Sequence, residues 1–167
     1  MWCKCTIKYC KFGDQKNYYM STIFNTSDNE FIISRLNQLT SDSKALWGKM
    51  NVSQMIVHCQ QPLLVSEGKL EVKRTLLGIV VGKMMKKKFL NKEFGKNLPT
   101  DKKFIITNNR EFEKEKQLLI NQIQSFEKKG NSVIQNFKHP FFGPMTAEEW
   151  GIISYKHLDH HLKQFGV

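Results

Sequence analysis

The sequence predicts an all-α fold, a four-helix body carrying one additional helical excursion. Three observations point there. Helix-start signatures recur four times along the chain, each followed by an apolar stripe of helical period. No convincing strand pattern is present; "KFIIT" is short and reads equally as extended loop. Finally, 167 residues with 40% hydrophobic and 25% charged content are ordinary for one globular domain with a real core.

The first helix is expected over roughly 28–40, where "SDNE" forms a capping box. Ser27 would accept from an orphan backbone N–H while Glu30 reaches back. In "MNVSQM" the logic repeats, with Asn51 as cap, Gln54 at the third helical position and Met50 stapled against Met55; this helix covers roughly 51–67. Pro62 lies inside it and removes the N–H that would bond the carbonyl of His58, so a local kink is expected there. The excursion is expected over roughly 72–90, within "TLLGIVVGKMMKKKFL". Asn108 and Glu111 open a fourth helix, closed by Gly130 at the end of "FEKKG". Thr146, with Glu149 at the third position and Met145 against Trp150, opens the last, roughly 146–164. "TSDSKALWGK", "GKNLPTDKK" and "GNSVIQNFKHPFFGP" read as turns between them.

Residues 1–20 show no apolar period and are expected to be a disordered extension before a domain spanning 21–167. The cysteines at 3, 5 and 10 lack a second ligand pair at finger spacing and read as part of that tail. Four cysteines so placed do not make a disulfide framework, and a reducing cytoplasm is the expected compartment. No run reaches the length of about 18 apolar residues that a membrane-spanning helix needs. The net charge of +11 favours anionic partners, among them nucleic acid, acidic lipid and anionic small molecules. Nucleic acid is the weaker of these, because Phe141, Phe142 and Trp150 gather near helix starts as core residues rather than as a stacking platform among lysines.

The chain ends on "YKHLDHHLKQFGV". At about 100° per residue from Trp150, Leu158, Leu162 and Phe165 fall on the inward stripe. His157 and His161 land within about 20° of Trp150, His160 near about −80°, and Lys156, Asp159 and Lys163 opposite. Histidines four apart on one helix face stand about 5–6 Å apart at Cβ, close enough for both rings to reach one ion. A third ligand must come from elsewhere. Of the other histidines, His139 lies in the loop "KHPFFGP", and His58 sits beside the stripe Val52, Met55, Ile56, Cys59, Leu63. A lone histidine there is more often a hydrogen-bonded core residue than a ligand, and periodicity leaves the choice open.

"LWGKMNVSQMIVHC", "LLGIVVGKMMKKKFLNKEFGKNLPT" and "HPFFGPMTAEEWGIISYKHLDHHLKQFGV" together resemble one branch of the DinB/YfiT-like metalloenzymes. The resemblance runs from about residue 22 to the C-terminus, with H-x-x-H-H-x-x-Q its most specific part. It implies a DinB-like four-helix bundle in which His58, His157 and His161 bind a divalent cation, zinc, nickel, iron or manganese. Some relatives in that family are thiol transferases, so the implied partners are a low-molecular-weight thiol and a small electrophile, with a second copy of the chain as a candidate partner. A non-catalytic metal-binding or stress-response protein and a metal-dependent hydrolase are the alternatives. Hydrolysis usually wants a carboxylate beside the metal, and Asp159 points outward by its helical angle. No catalytic side chain is assigned. Lys83, Lys86, Lys87, Lys88 and Lys92 could form a basic rim, Ser154 and Gln164 could support the ligands or touch substrate, and Cys59 reads as a small buried hydrophobe.

Overall fold

The computed structural model describes residues 20–98, 100–108 and 110–167. The expected extension and its three cysteines lie, apart from Met20, outside the described residues. Among the described residues five α-helices account for the architecture: α1 (Thr26–Leu36), α2 (Val52–Ser66), α3 (Leu76–Asn91), α4 (Phe112–Lys129) and α5 (Ala147–Gln164). The all-α expectation holds. A two-residue hairpin, β1 (Lys138–His139) with β2 (Gly143–Pro144), is the addition that periodicity does not reveal. It is too short to alternate, and Gly143 at φ +79° makes its turn.

The caps decide where the helices start. Both capping boxes expected at Asn51/Gln54 and Thr146/Glu149 are formed. The first helix starts earlier than "SDNE" suggests, because Asn25 accepts from the Asp28 N–H and takes the cap. Ser27 is left to donate to the Asn25 side chain. At the fourth helix Glu111 is itself the cap, accepting from the Lys114 N–H, and Gly130 ends the helix at φ +54° as expected. Helix α2 runs through Pro62 to Ser66 without interruption.

Helices α1, α2, α4 and α5 pack on one another, while α3 leans on α5 and β2. Trp150, Phe126, Leu63, Leu119, Ile123 and Leu158 are fully buried between the four. Burial of that aliphatic and aromatic surface is the main driving force, at about 25 cal/mol per Å². Two buried polar groups stitch it together. Asn29 donates to the carbonyls of Ile23 and Ile123, joining the chain before α1 to α4. Arg35 bonds the Asp159 carboxylate at 2.7 Å and the Val167 carbonyl, fixing α1 to α5 and the C-terminal turn.

Gly151 lets the segment before α1 cross α5 closely, and the Ile23 N–H donates to its carbonyl at 3.2 Å. A methyl group there would overlap the Thr22 hydroxyl and the edge of the Phe24 ring. Gly151→Ala is therefore expected to lower stability by about 1–3 kcal/mol through overpacking, measured as a reduced urea midpoint at unchanged slope. An unchanged midpoint would mean that the seam has room to relax.

Candidate metal centre

Histidines from two helices meet in the gap between α2 and α5. His58 projects from the middle of α2, His157 and His161 from successive turns of α5, and one ring nitrogen from each lies within 4.8 Å of the others. The Nε2 atoms of His58 and His157 are 3.1 Å apart, and those of His161 and His157 are 3.2 Å apart. His58 and His161 are buried, at 5% and 7% exposure, with His157 partly buried beside them.

The outer nitrogens fix the protons. His58 Nδ1 is 3.1 Å from the carbonyl of Phe104, which can only accept, so this nitrogen carries a hydrogen. Gln164 donates its amide to the Trp47 carbonyl at 2.6 Å, which leaves its own carbonyl oxygen facing His161 Nδ1 at 2.8 Å. That nitrogen must therefore donate too. In neutral rings both inner nitrogens are then bare lone pairs. His157 Nε2 faces both and can supply at most one proton. At least one of the two close N···N contacts sets lone pair against lone pair.

Protonation is the costly way out. Burial holds His58 below the ordinary histidine range despite the Phe104 carbonyl, and burial with the neighbouring His161 and His58 rings holds His157 well below it. Burial, reinforced by His58, pushes His161 down to about 3. A cation at the centre would satisfy the three lone pairs instead. Metal–nitrogen bonds of about 2.0–2.1 Å in a tetrahedron put ligand nitrogens about 3.3–3.4 Å apart, close to the two short separations found here. All three nitrogens lie within 4.8 Å of one another, and three imidazole donors so gathered could hold a divalent ion.

The other residues singled out in the sequence fall elsewhere. His139 is structural: its Nδ1 accepts from the N–H groups of Phe141 and Phe142, and its ring lies against Phe142 and Trp150. His160 is half-buried, not in the triad, and touches Trp47, Phe94 and His161. Cys59 is buried, its thiol held neutral by burial, and donates to the Met55 sulfur. Ser154 is buried with its hydroxyl unbonded among the described residues, whereas Gln164 bonds a triad ring directly. Asp159 is committed to Arg35 and Lys163.

A family model described as "Protein of unknown function (DUF1569)" matches residues 20–166. The chain belongs to this family. No curated protein and no solved structure matches it. The match begins at Met20, so it too leaves the first nineteen residues aside.

Beside the triad lies a cleft of about 340 Å³, lined in part by Trp47, Phe94, Tyr155, His160, Lys96 and Lys163. His160 and Phe94 form its wall towards the triad, touching His161 and His157 respectively. Sequence reasoning did not find Phe104, Trp47 or Phe94. The first acts through its backbone carbonyl, which leaves no trace in residue type. The other two stand in turn-like stretches, where an aromatic residue among polar ones was the available signal. Of the lysines expected to form a rim, Lys86 pairs with Glu149 while Lys83, Lys87 and Lys88 stand exposed on α3. The cations at the cleft are instead Lys96, Lys156 and Lys163.

Gln164→Leu removes the acceptor of His161 Nδ1 and is expected to weaken zinc binding by about 10–100-fold, measured by competition with a chromophoric chelator. Equal affinity would mean that the amide has no part in orienting the ring. A second expectation concerns acid. His139 is pushed down to about 3 by burial, against 6.5 when unfolded. The unfolded chain therefore binds the proton first, and stability is full above pH 6.5 and falls as pH drops towards 3. This one group contributes about 1.4 kcal/mol per pH unit in that window. His139→Gln should flatten the acid limb of stability measured by urea unfolding between pH 6.5 and 4 by about that slope.

Proposed function

We propose that His58, His157 and His161 hold one divalent cation, and that the chain is a DinB-like metal-dependent transferase acting with a low-molecular-weight thiol on a small electrophile. The proton count at the triad carries the metal assignment: two inner nitrogens held bare by their outer hydrogen bonds, both facing a third that has one proton at most. Three neutral imidazoles leave a bound cation its full charge and an open position, and the Lewis acidity it supplies favours the anionic form of a thiol.

The chain's own groups supply orientation and recognition. Phe104 and Gln164 set the direction of two rings. The cleft beside His160 offers aromatic walls from Trp47 and Phe94 and one lysine, Lys96, that lies 4.4 Å over the Trp47 ring and makes no ion pair among the described residues. Lys156 is spent on the carbonyls of Phe89, Leu90 and Lys92, and Lys163 on Glu93 and Asp159. Lys96 is the group suited to a carboxylate of the thiol. Transfer is favoured over hydrolysis because no carboxylate joins the histidine cluster among the described residues, and Asp159 is held by two cations.

A non-catalytic metal-binding protein is the second reading, and the burial of His58 and His161 favours it. Metal content of untagged protein, wild type beside His58→Ala and His161→Ala, tests the site itself. Near-stoichiometric metal in the wild type, lost in both variants, is the expected outcome. Wild-type protein that stays empty after reconstitution with zinc, nickel, manganese and iron would sink both readings. With metal bound, turnover of thiol and electrophile separates the transferase from the binding protein.

A further inference from the structure

Helix α3 presents a surface that neither the core nor the histidine site uses. Its inner side is closed. Gly78 and Gly82 face the backbone of Phe141 so closely that no Cβ would fit, and they are the buried residues of the helix. Lys86 ties it to Glu149 and the Pro144 carbonyl, and the Lys156 ammonium bonds the Phe89, Leu90 and Lys92 carbonyls at its C-terminal end. The helix is thus already formed and anchored. Its outer side is open, with Leu76 at 83%, Val80 at 82% and Met84 at 67% exposure, joined by Leu77 and Ile79.

At about 100° per residue, Leu76, Val80, Lys83, Met84 and Lys87 share one outward face of roughly 100°. Composition changes along that face rather than around it. The first turn and a half is aliphatic, and the lysines begin one turn later. Residues 72–92 contain seven Lys and Arg and no Asp or Glu. Lys83, Lys87, Lys88 and Lys92 make no ion pair among the described residues. The helix dipole accounts for a lysine in the last turn, but not for five exposed aliphatic side chains ahead of it.

We propose that α3 is a peripheral docking helix for an anionic lipid surface. Its aliphatic N-terminal end would enter the boundary between headgroups and acyl chains. Lys83, Lys87 and Lys88, with long stems that reach sideways, would meet the acidic headgroups. Charge selects this occupant over a second copy of the chain, which would bring the same unpaired lysines against one another. Nucleic acid would use the lysines and leave the aliphatic end in water. No described helix is long and apolar enough to cross a membrane, so the contact is with the surface.

Sedimentation of the full chain with vesicles tests this, comparing phosphatidylcholine alone with a phosphatidylcholine–phosphatidylserine mixture at low and high salt. The variants are Leu76→Ser/Val80→Ser and Lys87→Gln/Lys88→Gln, each checked for unchanged helical circular dichroism; these exposed positions carry no core packing. Expected are binding to the mixed vesicles that weakens with salt, little binding to phosphatidylcholine alone, and a loss of about tenfold in each double variant. Failure of the wild type to bind mixed vesicles at low salt overturns the proposal. So does unchanged binding by the Leu76/Val80 variant, which would leave charge as the sole contact, as for a nucleic acid. A wild-type dimer that the same variant converts to monomer would assign the face to self-association instead.

Discussion

The rotational setting of α5 is the constraint on which the rest of the molecule depends. One helix serves four neighbours at once. Trp150, Leu158 and Leu162 go to the core, and His157 and His161 go to the gap facing α2. Asp159 goes to Arg35 of α1, and Glu149 and Lys156 go to α3. Turning α5 by one residue would misplace every one of these contacts together, since adjacent positions differ by about 100°. Its two ends hold the setting: the capping box at Thr146 and Glu149, and the Gln164 amide locked to the Trp47 carbonyl.

That setting explains which parts of the structure were legible in the sequence. Capping boxes at Asn51 and Thr146 announce themselves because side chain and spacing carry the whole interaction. The pair His157 and His161 is legible for the same reason, being one turn apart on a helix with a clear apolar stripe. His58 is different. Its helix could be read and its place beside the stripe made it a candidate, but its meeting with α5 is set by how two helices pack, so the family resemblance was needed to choose it. The first cap was misread because Asn25 and Ser27 both lie before the apolar run, and only the backbone turn decides between them. The hairpin before α5 was missed because two-residue strands have no period to read.

The site also places neutral groups where the chain as a whole is strongly positive. With net charge +11, the protein would repel a free cation at long range. Three imidazoles would overcome this through short-range coordination, and would do so without adding a negative charge. A cation held in this way would be left uncompensated by its ligands, inside a protein already rich in lysine. Anions would be drawn to it twice over, by the ion and by the surrounding field.

Helix α3 adds a different kind of consequence. It buries two glycines where its neighbours bury leucine, tryptophan and phenylalanine. Its larger apolar side chains, Met85, Phe89 and Leu90, pack on the core only partly buried, so its attachment to the body is worth less than the cohesion of the body itself. The molecule then has two stabilities rather than one. Amide protons of α3 would exchange through a shallow local opening, while those of α2, α4 and α5 would wait for the whole domain to unfold. Because Lys156, which bonds the last carbonyls of α3, is the residue before His157, each such opening would free a side chain next door to the triad and part Phe89 from Phe142.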